Sequence, residues 1–111
     1  MHELSLVKEI VDLCEQHANG KQVVLVVLEI GALSNVITDA IEFCFSACIA
    51  DTLLAGANLE IVTIDGKGRC LDCGKEQNVH SYYEPCCFCR SFKVKVTAGD
   101  EMRVLEIEVA D

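Results

Sequence analysis

Two C-x-x-C turns constrain the fold of this chain more than any other feature of its sequence. They span residues 70–73 and 86–89, with twelve residues between them. Each turn places two thiolates on one side of a tight loop, so two facing turns present four sulfurs to one tetrahedral ion. The spacing is typical of a zinc ribbon, and Zn²⁺ is the default ion for four thiolates. The predicted zinc ligands are Cys70, Cys73, Cys86 and Cys89.

The second turn leaves a choice of ligand because Cys87 lies inside it. We favour Cys86 and Cys89, since pairing Cys87 with Cys89 would leave a single residue between the ligands. Iron in a rubredoxin-like site has the same four-thiolate geometry, and four unrelated buried thiols are a further alternative. A closed four-thiolate site has no open position for a substrate water, so it indicates a structural rather than a catalytic metal.

Length and charge narrow the class of protein. The 111 residues fit one domain, or one domain with a small appendage. A net charge of −9 argues against binding to the nucleic-acid backbone or to an anionic membrane surface. No apolar run reaches the ~20 residues that span a bilayer, and charged residues such as Glu3 and Lys8 are untypical of a signal peptide. We therefore expect a cytoplasmic protein whose clustered cysteines hold metal rather than disulfides.

Hydrophobic periodicity predicts a mixed α/β (α+β) fold. Two helices pack on a three-stranded sheet, and the cysteine-rich segment protrudes between two strands as a zinc-ribbon-like insert. Asn19-Gly20 is expected to end the first helix, and Thr38 or Asn35 to cap the second. The predicted helices cover residues 3–19 and 38–50, and the predicted strands cover 22–30, 59–65, 92–96 and 105–109. The expected domains are 1–65 plus 98–111 and, inserted between two strands, 66–97.

The remaining cysteines and histidines have simpler interpretations. Cys14, Cys44 and Cys48 are expected to pack as small buried hydrophobes. His17 is expected to be solvated or to cap the first helix, and His80 is not expected to bind zinc because four cysteines complete the set. The chain has no nucleophile elbow and no phosphate-binding P-loop, so any GTP hydrolysis must come from a partner.

The N-terminal tripeptide is a second candidate metal site. The α-amine of Met1, together with the amide nitrogen and the imidazole of His2, can close adjacent five- and six-membered chelate rings. Glu3 offers a fourth ligand through its amide nitrogen or its carboxylate. Nitrogen-rich planar sets of this kind suit Ni²⁺ or Cu²⁺. Further short motifs stand in order along the chain: Glu29-Ile30-Gly31, Leu33-Ser34, Gly56-Ala57-x-Leu59-Glu60-Ile61 and Gly99-x-Glu101.

With the N-terminal Met-His-Glu and the paired cysteine turns, these motifs resemble the HypA/HybF family of nickel metallochaperones over nearly the whole chain. The resemblance implies a nickel domain that binds Ni²⁺ through Met1, His2 and Glu3, and a zinc domain held by the four cysteines. It implies no enzymatic activity. The implied partners are a hydrogenase-maturation GTPase and the [NiFe]-hydrogenase large-subunit precursor, and some members also serve urease.

Two positions depart from the family pattern. Many members carry Pro where this chain has Cys87, and the position of Ala32 is often acidic. Two rival functions stay open at this point. One is a zinc-ribbon interaction module that transfers no metal, and the other is a rubredoxin-like electron carrier. Neither rival accounts for Met1-His2-Glu3.

Overall fold

A computed structural model describes residues 2–111, with His2 described in its backbone alone. Within this part of the chain, the two helices and the four predicted strands follow the order that the sequence predicts. The strands form two small sheets, of which the sequence predicts only one. Neither helix there is long and apolar enough to cross a membrane. The elements are α1 (His2–Ala18), β1 (Val23–Gly31), α2 (Thr38–Cys48), β2 (Asn58–Ile64), β3 (Lys67–Cys70), β4 (Glu76–Asn78), β5 (Val94–Ala98) and β6 (Met102–Val109).

The chain divides into two compact units. The first contains the chain up to Leu28, Val36–Val62 and Arg103–Asp111, and the second contains Glu29–Asn35 and Thr63–Met102. The predicted domains, 1–65 plus 98–111 and 66–97, stay a prediction. One sheet has the strand order β2-β1-β6, and the other has the order β4-β3-β5.

The apolar core of the first unit joins the two helices to the central strand. Buried residues recur every three or four positions along α1, as expected for an amphipathic helix. The helices contact each other directly. Buried side chains at the core are Val7, Val11, Cys14 and Ala18 of α1, Val23, Val26 and Leu28 of β1, Ile41 and Phe45 of α2, and Leu54. The predicted arrangement of two helices with a three-stranded sheet is confirmed.

The helix ends confirm one prediction and correct another. Asn19 and Gly20 both have positive φ after α1, which is the left-handed conformation expected at a helix end. The N-cap of α2 is Ile37, and no side chain caps it by a hydrogen bond. The prediction of Thr38 or Asn35 as the cap is therefore wrong: Thr38 is already helical, and Asn35 lies in a left-handed turn with φ 60°.

The strands of the second half differ from the predicted ones. β5 begins at Val94 rather than at residue 92, because Phe92 is exposed and lies outside the alternating pattern. β6 begins at Met102, three residues earlier than predicted. The sequence also failed to predict β3 and β4, which are four and three residues long. Three strands therefore form a sheet of their own in the second unit.

The second unit brings three of the short sequence motifs together at closely packed glycines. The N–H of Gly31 donates to the carbonyl of Glu101 at 2.8 Å, and the N–H of Leu33 donates to that of Gly99 at 2.7 Å. A Cβ on Gly31 would collide with the carbonyl of Gly99. Gly99 has φ +85°, and a Cβ there would lie 2.5 Å from the carbonyl oxygen of Asp65. Glycine is required at both positions by this close approach of backbones.

Candidate metal centre

The two C-x-x-C segments fold into the same backbone turn. The N–H of Gly74 donates to the carbonyl of Cys70, and the N–H of Arg90 donates to that of Cys86, both at 2.9 Å. The residue after the second cysteine of each turn is left-handed, with φ +76° at Gly74 and φ 65° at Arg90. Glycine adopts this conformation readily at Gly74, whereas the sequence gives no signal for it at Arg90 because Arg seldom adopts it.

Four sulfurs converge where these turns face each other. One Sγ from each of the four predicted zinc ligands lies within 4.8 Å of all the others. The sulfurs of Cys70 and Cys89 are 3.5 Å apart, and those of Cys73 and Cys86 are 3.7 Å apart. A tetrahedral ion with metal–sulfur bonds of ~2.3 Å requires sulfurs about 3.8 Å apart, so the cluster has the size and donor set for Zn²⁺.

Backbone amides point at two of the sulfurs. The N–H groups of Phe88 and Cys89 donate to the Sγ of Cys86 at 3.4 and 3.5 Å, and the N–H of Cys73 donates to the Sγ of Cys70 at 3.4 Å. The Cys89 amide, more than that of Phe88, lowers the pKa of the Cys86 thiol to about 6 against the opposing effect of desolvation. Hydrogen bonding to the thiolate stabilises its charge, which is the form that binds metal.

The thiol of Cys89 does not ionise as readily as that of Cys86. The N–H of Ser91 favours the Cys89 thiolate, but the sulfur of Cys70, burial and the other two thiols raise the pKa of Cys89 to about 12. Four thiolates in contact repel one another, so a cation is needed to hold all of them ionised at neutral pH. Metal binding at this cluster therefore releases protons.

Cys87 and His80 lie outside the sulfur cluster. Cys87 is exposed, and its N–H donates to Oε1 of Gln77 at 2.7 Å. His80 is exposed as well, with Nδ1 3.1 Å from Oε1 of Glu84. The structure thus groups Cys86 with Cys89 and leaves Cys87 pointing to solvent.

The other cysteines and His17 lie in the first unit. Cys14 and Cys44 are buried, Cys48 is half-buried, and burial raises the pKa of the Cys14 thiol. The Nδ1 atom of His17 lies 2.9 Å from the carbonyl oxygen of Leu13 in the last turns of α1. These side chains do not form a metal-ligating group among the residues that the structure describes.

The predicted nickel ligands are only partly visible. Met1 and the side chain of His2 lie outside the described residues. The backbone of His2 begins α1, and Glu3 is the acidic residue of its first turn.

Fold and site together define a small α+β protein with a four-cysteine metal-binding centre. A family model described as hydrogenase/urease nickel incorporation, metallochaperone, hypA, matches residues 1–109. The chain belongs to this family of nickel metallochaperones of hydrogenase maturation.

Sequence and structure relatives agree with this assignment. The hydrogenase maturation factor HypA of Geobacter metallireducens is 50% identical over 109 residues, which cover 98% of this chain and 99% of that one. The factor of the same name from Crocosphaera subtropica is 41% identical over 111 residues, covering 100% and 97%. The solution structure of the Ni metallochaperone HypA from Helicobacter pylori matches with a TM-score of 0.71 at 31% identity, covering 96% of each chain.

Proposed function

We propose that this chain is a cytoplasmic nickel metallochaperone that binds Ni²⁺ at its N-terminus. It then delivers the ion, together with a GTPase partner, to the large-subunit precursor of a [NiFe]-hydrogenase. The observation that carries the proposal is membership of the nickel-incorporation family over residues 1–109, which includes the N-terminal Met-His-Glu. The protein is proposed to hold and transfer a metal ion rather than to catalyse a reaction.

The proposed nickel ligands are Met1, His2 and Glu3, with Ni²⁺ as the cargo. α1 begins at His2, so the amide nitrogens of His2 and Glu3 belong to the first helical turn. The N–H groups of a first turn have no intrahelical acceptor, and exchanging their protons for a metal ion breaks no helical hydrogen bond. The carboxylate of Glu3 offsets the positive charge of the ion and the positive end of the helix dipole.

The proposed resident metal is Zn²⁺ on Cys70, Cys73, Cys86 and Cys89. The spacing of their sulfurs and the amide donors to Cys70 and Cys86 support this assignment. Bound zinc would link the two cysteine turns and hold residues 66–97 as a zinc-binding domain. The nickel-binding domain would then comprise residues 1–65 and 98–111. A zinc centre with four protein ligands is closed to substrate, which fits a structural role.

The partners follow from the proposed transfer. Nickel delivery requires contact with a hydrogenase-maturation GTPase and with the large-subunit precursor. The family description names urease as well as hydrogenase, which supports urease-maturation proteins as further partners. With a net charge of −9, neither nucleic acid nor an anionic membrane is proposed as a partner of the whole chain.

The test follows radioactive nickel into the hydrogenase large subunit of cells that lack their own protein of this family. The wild-type chain is expected to restore labelling, and His2→Gln to abolish it, because the amide side chain cannot replace the imidazole. His17→Gln is the matched control on the same helix and is expected to restore labelling fully. Equal labelling with His2→Gln and the wild type would overturn the proposal.

The two rival functions give different results with the purified protein. An interaction module would bind zinc but no stoichiometric Ni²⁺. A rubredoxin-like carrier would be coloured and show a reversible one-electron couple, since ferric thiolate absorbs visible light and zinc thiolate does not. A colourless protein that binds both zinc and nickel is the expected result.

A further inference from the structure

Charge is distributed very unevenly along this acidic chain. Residues 66–97 contain six Lys and Arg against three Asp and Glu, a formal charge of +3. The rest of the chain contains three Lys and Arg against fifteen Asp and Glu, a formal charge of −12. All six cationic side chains of residues 66–97 are exposed. A basic surface of this kind attracts an anionic partner even though the protein as a whole carries −9.

Three of these cations lie on one face of the sheet β4-β3-β5. Lys67 and Arg69 alternate along β3 with the buried Gly68 and Cys70, so they point away from the interior. Lys95 of β5 is the antiparallel partner of Arg69, which places the two side chains on the same face. We call Lys67, Arg69 and Lys95 the basic face.

The opposite face of this sheet is turned inward. A Cβ on Gly68 would lie 2.7 Å from Cγ1 of Val94 and 3.2 Å from Cγ1 of Val79. Val79 is buried and Val94 is half-buried. The sheet therefore has one apolar face, which packs within its own unit, and one charged face.

Among the side chains that the structure describes, those of the basic face form no ion pair. Among residues 2–111, no ion pair involves Arg69 or Lys95. Of the nearby acids, Glu76 lies opposite Arg69 on β4 without an ion pair, whereas Glu84 pairs with His80. Like charges directly opposite each other on paired strands are destabilising. The Arg69–Lys95 pair thus carries a cost that an anionic ligand would relieve.

We propose that the basic face is a docking surface for an acidic segment of a partner protein. Carboxylates on such a segment would bridge Arg69 and Lys95, and Arg can bind a carboxylate through two parallel hydrogen bonds. A short acidic segment meets only the basic face. The net charge of −9 on the whole chain disfavours a long polyanion such as RNA. This inference goes beyond nickel delivery and does not depend on the N-terminal chelate.

Fluorescence anisotropy with a dye-labelled oligoglutamate peptide and zinc-loaded protein tests the proposal. The wild type is expected to bind oligoglutamate, to ignore oligoglutamine and to bind more weakly as salt rises. The double variant Arg69→Glu/Lys95→Glu is expected to bind roughly tenfold more weakly, since it reverses two charges in direct contact with the peptide. Zinc content is measured on every variant to show that the four-cysteine centre is intact.

The matched control is Lys8→Glu/Lys21→Glu, which changes the net charge by the same amount at two exposed positions of the first unit. It is expected to bind oligoglutamate as well as the wild type. Equal weakening by both double variants would show that net charge alone acts, and would overturn the proposal. Tighter binding of single-stranded RNA than of oligoglutamate would overturn it, as would a concentration-dependent dimer that Arg69→Glu/Lys95→Glu dissociates.

Retained peptide binding without nickel binding would leave this docking surface intact and contradict the proposed function. Nickel binding with no affinity for oligoglutamate would contradict the docking surface and leave the proposed function intact.

Discussion

Replacing one sulfur ligand is expected to weaken zinc binding, so that removal of the metal by a chelator unfolds residues 66–97 while the first unit stays folded. The reason lies in what else holds this segment. Within residues 66–97, all of which the structure describes, Val79 is the one buried aliphatic side chain. Burying a valine contributes about 1.5–3 kcal/mol. Structural zinc in small domains contributes about 10–16 kcal/mol, so the metal dominates the stability of this segment.

The magnitude for Cys73→Ser follows from the same figures. If the four ligands share the binding energy equally, the loss of one costs about 3 kcal/mol, which is roughly a hundredfold in zinc affinity. A chelator that spares the wild type should then strip zinc from the variant. The segment cannot replace this energy from its own core, so it should unfold locally.

Amide hydrogen exchange measures the outcome residue by residue. The amides of Gly74 and Arg90, which donate within the two cysteine turns, should lose protection in Cys73→Ser. The amide of Val23, which donates to the carbonyl of Leu53 in the first unit, should keep it. Cys87→Ser is the control, because its exposed thiol lies outside the cluster. Persistent protection of the turn amides in zinc-free Cys73→Ser would refute the reasoning.

Two further predictions concern acid and backbone geometry. Zinc affinity should decrease as the pH falls, because protons compete with zinc for the thiolates. The decrease should be steeper below pH 6, because the Cys86 thiol, whose pKa is lowered to about 6, then also takes up a proton. Chelator competition across pH measures the zinc affinity, and an unchanged slope through pH 6 would contradict this prediction. Gly99→Ala should lower the free energy of unfolding, measured in urea, by more than ~2 kcal/mol, because the new Cβ meets backbone atoms. Gly20→Ala should cost about 1–2 kcal/mol, because Gly20 is also left-handed but has open space around it. Equal losses in the two variants would disprove the packing argument.

The first half of the fold could be predicted because its patterns are strong. The periodic pattern of α1 and the β-branched run of β1 each extend over nine residues or more. The observed ends of both elements differ from the predicted ends by one residue. The cap of α2 was mispredicted because Thr38 and Asn35 are good cap residues in general, whereas here Thr38 is already helical and Asn35 is left-handed.

The second sheet could not be predicted because its strands lack hydrophobic patterns. β3 places Gly68 and Cys70 on its inner face, and neither residue signals a buried strand. Its position depends on pairing with β5, which is nonlocal in sequence. Phe92 misplaced the start of β5, since a large apolar residue in a strand pattern is usually buried and this one is exposed.

The site shows the same division between local and nonlocal information. The four-sulfur cluster could be predicted from spacing alone because each C-x-x-C turn is a local structure. The pairing of Arg69 with Lys95 depends on the register of two strands that are distant in sequence, and no sequence pattern indicates it.

The central claim, nickel binding at the free N-terminus, is tested most directly by calorimetric titration of Ni²⁺ into zinc-loaded protein. The comparison is the native chain against a chain with one Gly added before Met1, which keeps His2 but moves the free amine away from the chelate. We predict one bound Ni²⁺ for the native chain and binding at least roughly a hundredfold weaker for the extended chain, because a metal site loses much of its affinity when a directly coordinating ligand is removed. Equal binding by both chains would contradict the account.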